Sequence, residues 1–268
     1  MSVAECDASR YALCVEYDGS LFSGWQTQLG QRTVQEELEK AISRVADHDV
    51  AVVTAGRTDA KVHATGQIAH FDSFAQRDLL AWHFGINRFL PSDIRVHWVN
   101  IVDQDFHARF SAIKRSYRYI IYNNNIKPCL LRSYVSYQYR SLDVDKMNVA
   151  ATAFIGEKDF SSVRASGCQA KTAVREILDL RVFRQGHWVW FDVTANAFLQ
   201  HMVRNIAGML MTVGYGDQKA EWVNDVIALK DRTQAGVTAQ PNGLYLTQVA
   251  YTDRYELENF PPKPIFWG

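Results

Sequence analysis

The stretch Ala55-Gly56-Arg57-Thr58-Asp59-Ala60 has the residue types of a reaction centre. Gly56 allows an unusual backbone angle or a close ligand approach. Arg57 and Asp59 flank a single residue, so in an extended segment both project to the same side. A guanidinium beside a carboxylate favours the ionised form. An ionised, oriented carboxylate acts as a nucleophile or a base. The same six residues also suit a turn tied by an Arg–Asp pair, which is a purely structural role.

A second specialised stretch runs from Ala197 to Gly208, A-F-L-Q-H-M-V-R-N-I-A-G. Phe198, Met202, Ile206 and Met209/Leu210 form an apolar stripe at helical spacing, the mark of a core-facing side. His201, Arg204 and Asn205 fall on the other side, where polar heads either line a groove or face water. Val174 to Ile177, with Arg175, admits the same two readings.

Other chemistries lack their signatures. Cys6, Cys14, Cys129 and Cys168 are scattered with no C-x-x-C pair, a spacing that favours free thiols in a reducing cytosol. His63 and His70 have no zinc-ligand pattern around them, and no P-loop or dinucleotide fingerprint occurs. No metal and no cofactor are therefore expected. The start, MSVAECDASR, lacks a basic region followed by an apolar run, and no stretch approaches the roughly 18 continuous apolar residues of a membrane span. The expected location is the cytoplasm, with no membrane partner.

Net charge is zero, from 29 Lys+Arg against 29 Asp+Glu. That sum argues against a nucleic-acid binder, whose affinity comes largely from phosphate neutralisation; distribution matters more than the sum. Between Asp105 and Asp143 there is no acidic residue, while Arg109, Lys114, Arg115, Arg118, Lys127, Arg132 and Arg140 all fall there, among several tyrosines. The stretch is either one cationic face or a strand-rich segment with solvated outward charges.

The elements that must carry these residues follow from periodicity. Arg10 to Tyr17 alternates Tyr11, Leu13, Val15 and Tyr17 on one side, the sign of a strand. After a loop from Asp18 to Gln31, Thr33 and Glu36 make a capping box for a helix facing inward with Val34, Leu38, Ile42 and Val45. Strands are expected at Val50–Thr54, Ile68–Phe71 and Ile94–Val102, with a helix from about Asp78 to Phe89 ended by Pro91. The pattern restarts with a strand Ser116–Tyr122 and a helix Asp145–Ile155 whose Met147, Ala151 and Phe154 face inward. Strands Ala173–Phe183 and Trp188–Ala195, helices Phe198–Val213 and Ala220–Leu229, and a strand Leu244–Tyr251 complete it. This is an α+β chain of two related halves, each a mixed or antiparallel sheet with helices on one face. The boundary falls near 105–112: residues 1–108 carry the Asp59 loop, and residues 109–268 carry the second round of elements.

Ten segments, in order and over almost the whole chain, resemble the tRNA pseudouridine synthases of the A type. They are Y-D-G-S-L-F-S-G-W-Q from Tyr17, T-V-Q-E-E-L-E from Thr33, A-G-R-T-D-A from Ala55, H-A-T-G-Q-I-A-H-F from His63 and L-P-S-D-I from Leu90. Then come F-H-A-R-F-S-A from Phe106, R-S-Y-R-Y-I-I-Y-N from Arg115, D-F-S-S from Asp159, the Ala197 segment, and G-L-Y-L from Gly243. A single fragment of this kind is weak; the ordered series is highly specific.

The resemblance implies conversion of uridine to pseudouridine at positions 38, 39 and 40 of the tRNA anticodon stem-loop, by a homodimer that uses no cofactor. It makes Asp59 the catalytic aspartate and Tyr117 the ring lying against the target uracil, a flat surface for a base taken out of its stack. It makes Arg57 the arginine that helps displace the base and Arg204 a partner of Asp59 or of the same cleft. Leu244 is implied to contact the uracil edge, and the active-site cleft to lie between the two halves. RNA duplex is read mainly through shape and phosphates, which makes the cationic stretch Arg109–Arg140 the implied docking surface.

One departure stands out: Lys61 occupies a position where the family usually has Gly. If that position needs a positive φ, Lys costs roughly 1–2 kcal/mol there. Two readings from other classes stay open at this level, a non-catalytic tRNA-binding protein and a carboxylate-dependent hydrolase or glycosidase. The latter needs a second placed carboxylate, and the segments show none beside Asp59. A sibling synthase acting at another RNA position is the nearest competitor.

Overall fold

The computed structural model describes residues 8–257. The chain is α+β and divides into two compact units. One runs up to Ile113 and takes up the chain again from Leu246; the other runs from Lys114 to Tyr245.

In the first unit, β1 (Ser9–Tyr17) is the middle strand between β4 (Ile94–Val102) and β3 (His63–Ser73), antiparallel to both, and the short β2 (Val53–Thr54) pairs with β3. Only the last two residues of the expected Val50–Thr54 strand pair, and β3 begins five residues before the expected Ile68. Tyr11 to Val15 are buried without a break, because both faces of β1 are covered. On one face Tyr11 meets Phe71 and Trp82 with ring centroids 5.2 Å apart in each case. On the other, Phe106 and His107 approach His70.

Helices α1 (Val34–Ala46) and α2 (Leu79–Phe89) pack together closely: a Cβ at Gly85 would stand 3.0 Å from Val45 Cγ2. The expected capping box does not form. Thr33 is fully buried, its hydroxyl has no partner among the described residues, and Glu36 accepts instead from Lys40 Nζ at 2.7 Å. The first N–H groups of α1 are satisfied by the preceding loop, Val34 N donating to Gly24 O and Gln35 N to Trp25 O. At α2 the Asp78 carboxylate accepts from Ala81 N, the local cap its sequence suggests.

In the second unit, β5 (Lys114–Asn123), β9 (Trp188–Ala195), β8 (Val174–Gln185) and β7 (Gly156–Asp159) follow one another antiparallel, and β6 (Ser136–Gln138) runs parallel beside β5. Along β9, Val189, Phe191, Val193 and Ala195 are buried while the alternate residues are half-buried. Behind this sheet lie α3 (Val144–Ala151), α4 (Met202–Gly214) and α5 (Trp222–Leu229), with Met147, Phe154, Ile206 and Leu210 fully buried. Each such side chain contributes about 1.5–3 kcal/mol by leaving water. Helix α4 starts four residues later than its periodicity predicts, because His201 takes a left-handed φ of 62° that no helix can propagate. β10 (Leu244–Ala250) carries the chain back from the second unit into the first. No helix among the described residues is long and apolar enough to cross a membrane.

Candidate active site

The Asp59 loop leaves the sheet at β2. Ala55 N donates to Ile68 O at 2.8 Å, and Gly56 O accepts from Gln67 Nε2 at 2.6 Å. From there the side chains alternate: Arg57 exposed, Thr58 buried, Asp59 half-buried. Thr58 is the anchor. Its Oγ1 lies 2.7 Å from the Tyr17 hydroxyl, and its carbonyl accepts from Trp25 N at 3.1 Å. Val62 N donates to Asp59 O at 3.2 Å, which closes a turn through Ala60 and Lys61.

The loop from Tyr17 to Trp25 is shaped against this turn. Gly24 has φ +100°, and a Cβ there would stand 2.8 Å from Thr58 O and 3.2 Å from the Asp59 carbonyl carbon. Only glycine meets both demands. At Gly19 a Cβ would fall 2.0 Å from Val62 O. The segments at Tyr17 and Ala55, separate in sequence, are thus one interlocked piece. The Lys61 position also resolves: its φ is 64°, the left-handed conformation that favours glycine.

Arg57 and Asp59 do not form the ion pair their spacing suggests. Arg57 is exposed and has no ion-pair or hydrogen-bond partner among the described residues. With Thr58 drawn inward, the Arg57 side chain is carried out to water, where a guanidinium is well solvated.

The histidines are structural. Gly19 N donates to His63 Nδ1 at 3.1 Å, with Asp18 Oδ1 3.2 Å from the same atom. Ala108 N donates to His70 Nδ1 at 3.1 Å. Among the described residues no group of three or more His, Cys, Asp or Glu side chains is placed to hold a metal ion.

In the second unit Tyr117 sits near the start of β5 opposite Val193, 8% exposed, with the Phe198 ring edge-on at 5.0 Å and 83°. Phe198 lies outside α4, contrary to the helical stripe expected of it; it packs against the tyrosine instead. Arg204 is half-buried on the first turn of α4. Its Nε donates to Ala239 O at 2.9 Å while its own carbonyl accepts from Ala239 N at 3.1 Å. Gly208, one turn on, permits this approach, since a Cβ there would fall 2.0 Å from Val237 O.

Asn205 neither lines a groove nor faces water. It is 1% exposed, its Nδ2 donates to Val163 O, and its Oδ1 accepts from Arg232 and Thr238. Leu244, 6% exposed, opens β10 just after Gly243, which is pressed against the Ile120 carbonyl.

The basic stretch is less cationic in space than in sequence. Arg118 pairs with Asp192 at 2.7 Å, Arg140 makes two bonds to Asp217, and Arg115 is buried with its Nη1 on Asn196 O. Sequence reading missed Tyr17 and the inward turn of Thr58 as parts of the site. The Tyr17-Asp18-Gly19 run, whose glycine has no evident role in β1, was the available signal.

A family model described as tRNA pseudouridine synthase matches residues 13–111 and 150–252. These ranges hold Arg57, Asp59, Arg204 and Leu244, and leave out the segment with Tyr117. The tRNA pseudouridine synthase A of Shewanella piezotolerans is 53% identical over 257 residues, covering 96% of this chain and 98% of its own. That of Coxiella burnetii is 50% identical over 258 residues, covering 96% and 99%. Among solved structures, one described as a Cbf5-Nop10-Gar1 complex aligns with 88% of this chain and 57% of its own at TM-score 0.35 and 11% identity.

Proposed function

This chain belongs to the tRNA pseudouridine synthase family, and on that premise we propose that it isomerises uridine at positions 38, 39 and 40 of the tRNA anticodon stem-loop, with the Asp59 carboxylate as its catalytic group. The family's reaction breaks the N1–C1′ bond, turns the uracil and joins C5 to C1′. Product and substrate are isomers, so the balance requires no oxidant, phosphate donor or second substrate. What the protein must supply is an oriented carboxylate, a surface for the extruded base and a grip on the RNA.

The observation that carries the reading is the anchoring of the Asp59 loop. Its backbone is held on one side by Tyr17 and Trp25 through Thr58, and glycine leaves it room at Gly24. A carboxylate on such a support is pre-oriented, which is worth more to a reaction than a flexible one. That carboxylate attacks C1′, attacks C6, or removes the C2′ proton.

Tyr117, backed edge-on by Phe198, is assigned as the stacking surface for the uracil, and its hydroxyl to the final loss of the C5 proton. Extruding a base costs a few kcal/mol, which stacking on a phenol ring offsets. Arg57, exposed and unpaired, is assigned to displacing the target base from its helix. Arg204 is assigned to the carboxylate's side of the site and Leu244 to the uracil edge. The working unit is assigned as a cytoplasmic homodimer with one tRNA across both subunits.

The test is pseudouridine mapping on unmodified tRNA transcripts incubated with purified protein and no added cofactor. Pseudouridine confined to positions 38–40 is the expected result. Pseudouridine at other positions overturns the site assignment, and none at all overturns the reading.

A further inference from the structure

On the second unit's strands Arg118 and Arg181 are paired with carboxylates, but one loop of that unit concentrates cations that meet no acid among the described residues. It runs from Arg164, at the end of a short 3-10 turn, to Arg175 at the start of β8, and the sequence between them contains Lys171 and no Asp or Glu. Arg164 donates through Nη2 to the carbonyls of Cys168 and Ala170 at 2.7 Å each. Arg175 donates through Nη1 to the carbonyls of Thr172 and Val174, while its Nε is buried without a partner among the described residues. Lys171 is exposed. No carboxylate among the described residues pairs with any of the three.

Two further facts say what the locus favours. Burial chiefly holds the Arg175 pKa below its ordinary value, the nearby Arg164 charge adding to it against a larger opposing effect of Cys168, so the two guanidinium groups stand together with a thiol, not a carboxylate, between them and neutrality. At Cys168, burial pushes the thiol up, yet the N–H groups of Ala170 and Gln200 and the Arg164 guanidinium outweigh it and bring it below the ordinary thiol range. Converging N–H donors beside an unneutralised guanidinium pair make a site that stabilises negative charge. The loop is itself fixed, since Ala165 N donates to Gln200 O at 3.1 Å on the turn leading into α4.

We propose that the Arg164–Arg175 loop, through Arg164, Lys171 and Arg175, is a docking site for a phosphodiester of the substrate RNA. It rests on the tRNA reading above, and it adds an electrostatic grip outside the stretch Arg109–Arg140, on a loop the sequence does not single out by charge count. Carbonyl contacts hold each guanidinium in place, and apart from the buried Arg175 Nε the N–H groups not on carbonyls remain for a phosphate, the geometry for which arginine is suited. In a chain of zero net charge, a cluster without carboxylate partners is a local source of positive potential that attracts a polyanion.

The experiment is a binding titration of a substrate tRNA transcript over a range of KCl, with the unaltered protein and the Lys171→Gln, Arg175→Gln and doubly substituted variants. Lys146→Gln, on the exposed side of α3, is the control for loss of a surface cation. The double variant is expected to weaken Kd about tenfold near 0.1 M salt, with a log–log salt slope shallower by about 0.7–0.9, one phosphate's worth. The control keeps both values. An unchanged Kd, or a weaker Kd with an unchanged salt slope, overturns the proposal. Failure of the tRNA reading is a separate outcome, since the unaltered protein would then not bind the transcript.

Discussion

The Tyr17 hydroxyl lies 2.7 Å from Oγ1 of Thr58, the residue just before Asp59, and both groups are buried. The bond joins the last residue of β1 to the loop that presents the carboxylate, and it is the side-chain contact nearest Asp59 among those that tie this loop to the sheet. Removing it with Tyr17→Phe leaves the Thr58 hydroxyl buried without that partner, at a cost of about 1–2 kcal/mol. Single-turnover rates on tRNA are expected to fall about tenfold with Kd for tRNA nearly unchanged. A change in Kd alone would show that the bond does not position Asp59.

Lys61 is held at φ 64° on the exposed end of the same turn. A side chain in that conformation costs roughly 1–2 kcal/mol, part of which glycine returns through its greater freedom when unfolded. Lys61→Gly is therefore expected to stabilise by about 0.5–1 kcal/mol, read as a rise in Tm. A fall in Tm would mean that the lysine makes a contact worth more than the strain.

Asn205 bonds Val163, Arg232 and Thr238 from a fully buried position. Asn205→Ala removes three hydrogen bonds at once and leaves Arg232 and Thr238 only each other and the Gly236 carbonyl, and the expected loss is about 2–3 kcal/mol in urea denaturation. A loss of activity with unchanged stability would instead assign Asn205 to the reaction.

His70 supplies a pH dependence. Burial chiefly, then the charges of Arg10 and His107, bring its pKa down from 6.5 to about 4, against a smaller opposing effect of Asp72. Between those values the unfolded chain binds a proton that the folded one does not, so stability is present above pH 6.5 and is lost as pH falls toward 4. Allowing for partial solvent screening, about 1–2 kcal/mol is at stake. His70→Asn, which keeps an acceptor for Ala108 N, should flatten the stability difference between pH 5 and 7.5. An unaltered difference would place its origin elsewhere.

Where the chain's own neighbourhood decides structure, the sequence was readable. The strands Ile94–Val102 and Trp188–Ala195 follow from periodicity, and α2 from its span up to Phe89 before Pro91. The misreadings share one physical cause, partners distant in sequence. The α1 N-terminus takes its acceptors from Gly24 and Trp25 rather than from a capping box. Arg118 and Arg140 meet carboxylates 74 and 77 residues away, which no window of local charge reveals. The late start of α4 depends on one backbone angle at His201. At the site, Asp59 stood out through resemblance and Gly56 through residue type, while the inward turn of Thr58 needed Tyr17 brought beside it.

The central claim is that the Asp59 carboxylate performs the isomerisation. The direct measurement is single-turnover pseudouridine formation by Asp59→Asn beside a tRNA binding titration of the same variant. The expected result is no detectable product with tRNA affinity retained, because the proposed phosphate contacts lie away from Asp59. Product formation near the unaltered rate would contradict it.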